Sequence, residues 1–263
     1  MPKKITTFKP GVKSYHYAAL DNFDQDTHPD CLIPLHTTFK TACQEHFMYE
    51  IDPAYDLIAE RLLHPSGKGR IALAHASGGC PHSLAAAFAV WFFLCTHGGR
   101  AFIFSPHMAT LSVARDIIET MILNNPSLLY GLEFDGLSVW LRAAPERRIE
   151  WVHPDTLTDK KIEQMQGCYS FVFVDEAHQC ANELLEALRD TLFVKQSALI
   201  AGVPMSSQGA FKKLYDDPDF YPMQLAAENM SSYHSAESEK LRAQIGEDSD
   251  LYRSTVLAEF PKA

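Results

Sequence analysis

Short unbroken apolar runs alternate along this chain with longer stretches in which apolar residues return every three or four positions. The first rhythm is that of buried strands and the second that of amphipathic helices. They predict a strand over 70–74, a helix over 83–96, a strand over 101–105 and a helix over 108–123. Strands near 137–142 and 149–152, a helix around 155–165, a strand over 169–175, a helix over 181–192 and a strand over 197–201 continue the pattern. Strand, helix, strand in repetition implies parallel crossovers and a sheet covered on both faces. Before this alternation, Asp52 and Pro53 are suited to the N-cap and first turn of a helix. Residues 1–50 have weak periodicity and read as an irregular arm, leaving 51–263 as one domain; the tail over 235–260 reads as two short helices split at Gly246.

The segment 169–178, YSFVFVDEAH, ends a run of aromatic and β-branched residues abruptly in two carboxylates. A buried parallel strand explains the run, and the carboxyl edge of an open α/β sheet, where ligands sit, explains the acids. This is a Walker B strand. In such an ATPase the first acid, Asp175, holds Mg²⁺, and the second, Glu176, orients and polarises the attacking water. His178 either links the site to a neighbouring strand or packs as a satisfied core histidine.

A phosphate loop belongs after the first strand, where Ala76-Ser77-Gly78-Gly79-Cys80-Pro81-His82-Ser83 precedes a strongly apolar helix. Gly78 and Gly79 permit a tight turn whose N–H groups face an anion at the helix N-terminus. Aligned on A/G-x-x-x-x-G-K-S/T, however, the last glycine is Pro81 and the lysine is His82, while Ser83 keeps the hydroxyl. Pro81 removes a donor, and an imidazole replaces a permanent ammonium. The loop is a degenerate Walker A, and the fold class is α/β, a P-loop NTPase of the RecA/ASCE kind with a mainly parallel sheet. ATP is the expected ligand.

Composition narrows the partners. Net charge is −10 and the pI near 5.6, so contact with a nucleic-acid backbone has to come from a local basic patch. The candidates are Arg147-Arg148 and Lys212-Lys213, against the alternative of a solvated surface. Six scattered cysteines without a C-x-x-C pair suggest reduced thiols and a cytoplasmic location. His16, His28, His36 and His46, with Cys31 and Cys43 among them, form no compact metal-ligand pair. The apolar run over 84–95 is 12 residues long, short of the ~20 that cross a bilayer, and reads as a buried helix.

Segments 102–118 (FIFSPHMATLSVARDII), 197–211 (SALIAGVPMSSQGAF) and 239–261 (EKLRAQIGEDSDLYRSTVLAEFP), taken with the Walker elements, resemble the N-terminal ATPase domain of the large terminase subunit of tailed phages. The resemblance runs from about residue 50 to the end, and its most specific part is GEDSDLYRSTVLAEFP. DEAH helicases share the Walker B spelling but need a second lobe, for which no chain remains. The resemblance implies ATP and Mg²⁺ as cofactors and translocation of double-stranded DNA into a capsid, with other terminase or portal subunits, or a ring of identical copies, as partners. It implies Asp175 and Ser83 as Mg²⁺ ligands, Glu176 as the catalytic carboxylate, and Gly202, in Gly202-Val203-Pro204, in the motif that couples hydrolysis to motion. It fails at His82, where the family has lysine, and at Gly78, where arginine is frequent; no nuclease role transfers. Three accounts of the missing lysine follow: a cation from Lys68, Arg70 or a neighbouring subunit; a binding or adaptor protein without turnover; or a site supported by protonated His82 or His75.

Overall fold

In the computed structural model, residues 37–262 are described apart from 64–68, 96–98, 126–127, 129–130, 154–155, 159–164, 166–169, 192–196, 231–232 and 234. Most of the helix expected over 155–165 and most of the arm lie outside the described residues.

Eight strands form one sheet in the order β3-β4-β5-β2-β6-β7-β1-β8. They are β1 (Arg70–His75), β2 (Arg100–Phe104), β3 (Leu132–Phe134), β4 (Ser138–Leu141), β5 (Ala144–Val152), β6 (Ser170–Val174), β7 (Ser197–Gly202) and β8 (Tyr221–Leu225). From β5 through β8 every pairing is parallel. The carboxyl ends of β1, β2, β6 and β7 therefore share one edge. The helices are α1 (Phe39–Thr41), α2 (Asp56–Leu62), α3 (His82–Cys95), α4 (Met108–Asn124), α5 (Asn182–Thr191), α6 (Ala210–Asp216), α7 (Ser235–Ile245) and α8 (Asp250–Thr255). Asp52 caps the helical turn Pro53–Tyr55 that leads into α2, accepting from the Ala54 N–H at 2.9 Å.

The period-two alternation of the central strands divides the core into two layers. Phe171 and Phe173 of β6, Ile103 of β2 and Leu199 of β7 face α2, α3 and α4. Val172 and Val174, Phe104 and Ile200 face α5 and α6 on the other side. Helix α3 is buried on nearly every position from Leu84 to Leu94, as its all-round apolar sequence demands.

Two expectations are corrected. The segment 132–152 is an antiparallel meander, not a pair of parallel strands: β3 pairs with β4 and β4 with β5 in opposite directions. Its first turn is Asp135-Gly136, with Gly136 at φ +89° and the Asp135 carboxylate accepting from the Leu137 and Ser138 N–H groups. That dipeptide is a hairpin signal in the sequence itself. Second, Arg147 is not a surface cation. It is 3% exposed, and its guanidinium donates to the carbonyls of Phe93 and Leu94 at 2.7 and 3.1 Å. There it satisfies orphan acceptors at the C-terminal end of α3, where the helix dipole favours a cation. Arg148 folds back onto the Pro145 carbonyl. Lys212 pairs with Asp216 and lies over Phe260, and Lys213 pairs with Glu186 at 3.1 Å. These two basic pairs do not make an uncompensated patch.

Replacing Arg147 by Met, which keeps much of the stem, leaves two buried carbonyls unpaired and costs about 2 kcal/mol in urea denaturation. A loss under about 0.5 kcal/mol would place the guanidinium outside the stabilising contacts.

Candidate functional site

Strand β6 carries Asp175 to the shared carboxyl edge, and the Asp175 N–H adds one more rung by donating to the Phe104 carbonyl at 2.9 Å. The carboxylate is 1% exposed, and a buried charge of this kind needs polar partners. Both come from the loop after β1. Cys80 Sγ donates to Asp175 Oδ1 at 2.7 Å, and His82 Nε2 lies 3.1 Å from Oδ2. Burial pushes the Asp175 pKa up, but the His82 hydrogen bond and charge, the Cys80 thiol and nearby His75 outweigh it and hold it below the ordinary carboxylate value. Burial first, then the Asp175 carboxylate, raises the Cys80 thiol well above its usual value.

The loop turns several of its own N–H groups inward. Ser77 N donates to the Thr255 carbonyl of α8 at 2.8 Å, Gly79 N to Ala76 and His82 N to Cys80 at 2.9 Å each. The Gly79 N–H expected to face an anion thus closes the turn instead. A Cβ on Gly79 would meet Met230 Sδ at 2.8 Å and the Ala76 carbonyl oxygen at 3.0 Å, so a side chain there would have to displace the Met230 thioether; Gly78 stands at φ +79° with open space around it. Ser83 lies half-buried in the first turn of α3. Outside the loop, a cleft of about 510 Å³ opens between Ser77, Gly78, Met230, Tyr233, Leu241 and Thr255.

Glu176 has φ +51° and ψ +41°, a left-handed conformation that is uncommon for a residue with a side chain and marks stored strain at the strand end. Burial and then the Asp175 charge raise its pKa, against Gln179, His82 and His107. A carboxylate shifted upward is suited to accepting a proton. Gln179 Nε2 donates to Glu176 Oε2 at 3.2 Å, and His107 Nε2 lies 2.7 Å from Gln179 Oε1. Sequence reasoning misses His107 and Gln179 as site residues: they are 72 positions apart, and only the segment 102–118 marks the region.

His178 spans two strands. Its Nδ1 accepts the Val203 N–H just past β7 at 3.2 Å, and its Nε2 lies 3.5 Å from Glu176 Oε2. An accepting Nδ1 requires a neutral ring with its proton on Nε2. Burial, then His75, lower the pKa to about 4. Gly202 fits directly beneath: a Cβ there would meet the His178 N at 3.0 Å, Ala177 N at 3.2 Å and the Phe211 ring at 3.2 Å. The His178 ring thus bridges the segment after β6 and the tip of β7.

Two cation sources fall away. His75 is 1% exposed, bonded through Nδ1 to its neighbour Ala76, and burial lowers its pKa, so it is neutral at pH 7. Arg70 opens β1 while the loop follows His75 at the other end; Lys68 lies outside the described residues.

The mostly parallel sheet, with β7 between β1 and β6 and with the loop 76–83 and Asp175–Glu176 at its carboxyl edge, has the P-loop NTPase fold. Its particular form is that of the phage large terminase ATPase domain. The Thermus phage P74-26 large terminase ATPase domain superposes with a TM-score of 0.64 at 17% identity, covering 86% of this chain and 99% of that one. The HK97 bacteriophage large terminase gives 0.61 at 10% identity, over 80% of this chain and 51% of that one. The large terminase of another thermophilic bacteriophage gives 0.55 at 10% identity over 80% and 54%. By sequence, no protein-family model and no curated protein matches the chain. Among the described residues no helix is long and apolar enough to cross a membrane.

The His178 ring sets a pH dependence of stability. Its folded pKa of about 4 lies below the unfolded value of 6.5, so on acidification the unfolded chain takes up the proton first. Stability is full above pH 6.5 and falls between there and pH 4, by up to about 3 kcal/mol from this ring. In His178→Asn that loss shrinks correspondingly when urea midpoints are compared across the range; an unchanged pH profile would contradict the assignment.

Proposed function

We propose that this chain is the ATPase module of a phage DNA-packaging motor. It holds nucleotide phosphates between the loop 76–83 and the acids Asp175 and Glu176. The observation that carries this reading is the direct closure of the Walker A loop onto the Walker B aspartate, across β7, at the carboxyl edge of a terminase-like sheet. Gly78, positive in φ and open to solvent, and the N-terminal end of α3 offer the phosphates an approach, and the cleft beside Tyr233 has room for the rest of a nucleotide.

Glu176 is the proposed catalytic carboxylate, orienting the attacking water and accepting its proton. His178 and Gly202 would carry a change at Glu176 to β7 and, through Val203, to the segment before α6. For Mg²⁺ the fit is poor. That ion takes oxygen ligands, whereas the Asp175 oxygens face a thiol and an imidazole rather than the Ser83 hydroxyl. Double-stranded DNA and portal or sister subunits are the partners this reading requires, through surfaces other than Arg147.

The replacement of the lysine by His82, itself engaged with Asp175, favours a second reading: a nucleotide, DNA or protein-binding adaptor on the same fold without turnover. ATP hydrolysis measured with Mg²⁺ or Zn²⁺, with and without double-stranded DNA, separates the two. The motor reading expects DNA-stimulated turnover that falls at least about a hundredfold in Glu176→Gln. Turnover at background under every condition supports the adaptor, whereas turnover unaltered by that change removes Glu176 from the catalytic role.

A further inference from the structure

Among the described residues one group of three metal-ligating side chains comes together, Cys80, His82 and Asp175, whose ligand atoms all lie within 4.8 Å of one another. The first two flank a single residue of the loop, and the third stands at the end of β6. Pro81 between Cys80 and His82 restricts the backbone, so the pair is presented as a rigid fork toward the carboxylate. Phe173 sits edge-on to the His82 ring at 6.3 Å, and Asp175 is almost wholly buried. This is a held donor set of one sulfur, one nitrogen and one oxygen, its carboxylate buried and its thiol and imidazole partly exposed.

That set is wrong for Mg²⁺ and right for Zn²⁺. Zn²⁺ takes thiolate, imidazole and carboxylate in a tetrahedron, and three protein ligands with a fourth position open is the arrangement of its catalytic sites. Ligand atoms on a tetrahedral zinc lie roughly 3.3 to 3.8 Å apart, so the observed spacing needs only small adjustments. We propose that Cys80, His82 and Asp175 bind Zn²⁺, leaving its fourth position open.

Charge balance gives the site a purpose. As Zn²⁺ enters, the Cys80 thiol proton leaves to solvent and His82 carries its remaining proton on Nδ1, freeing Nε2 as the ligand. Two positive charges arrive and one leaves. The net gain of one is the charge that a lysine ammonium would have brought to this position, so the metal replaces the cation that His82 removed. This last step rests on the nucleotide reading; the binding of zinc does not.

The test uses the full chain, stripped of metal with a chelator and titrated with Co²⁺ as a coloured substitute for Zn²⁺. One equivalent is expected to bind with a thiolate-to-cobalt charge-transfer band and the intense visible bands of four-coordination, and to be displaced by Zn²⁺ but not by excess Mg²⁺. Cys80→Ser removes the charge-transfer band, His82→Ala weakens binding by more than about tenfold, and Cys180→Ser, which alters the other thiol close to Asp175, leaves both unchanged. Circular dichroism establishes that each variant is folded. A wild-type chain without the thiolate band, a band that survives Cys80→Ser, or one lost in Cys180→Ser overturns the site. Binding of a fluorescent ATP analogue to the same samples reads the nucleotide site separately, so that either can fail alone.

Discussion

A carboxylate removed from water at the end of a central strand constrains everything around it. Asp175 stands among the ends of β2, β6 and β7, and leaving its charge unpaired there would cost several kcal/mol. The chain answers with two groups from one loop, the Cys80 thiol and the His82 imidazole. The loop 76–83 is consequently not free; it is anchored to the strand that carries the acids. Its N–H groups are engaged in the same way, on Ala76, on Cys80 and on the Thr255 carbonyl of α8.

The anchoring extends to the rest of the edge. Glu176 follows Asp175 directly and takes up the left-handed turn that lets the backbone leave the sheet, which brings Gln179 and His178 under its carboxylate. His178 then reaches Val203 across the tip of β7, where a Cβ at Gly202 would crowd the His178 and Ala177 backbone at 3.0 and 3.2 Å. Loop, acids and the exit of β7 form one connected unit, with α8 fastened to it through Ser77.

The central strands are legible in the sequence because each is buried on both faces and reads as a continuous apolar run; β1, β2, β6 and β7 fall within a residue or two of their expected bounds. The periphery is harder. The strand Tyr221–Leu225 contains Pro222 and lies at the sheet edge with only Met223 and Leu225 buried, so neither propensity nor hydrophobicity marks it. The meander is signalled by Asp135-Gly136 but obscured by the prevailing parallel alternation. Arg147 looks like any surface pair with Arg148, because nothing in local sequence reveals that a helix end 53 residues earlier lies against it. At the site, the loop and the two acids are readable as motifs, yet the bond between Cys80 and Asp175 joins residues 95 apart, a relation only the folded sheet creates.

Energetic coupling between Asp175 and the loop is measured most directly by a double-mutant cycle. Urea denaturation at pH 7 of the wild type, His82→Ala, Asp175→Asn and the double variant is expected to give an interaction energy of about 1 to 3 kcal/mol, the double variant losing less than the sum of the single ones. Additive losses, with a coupling below about 0.3 kcal/mol, would mean that the loop and the strand merely lie side by side.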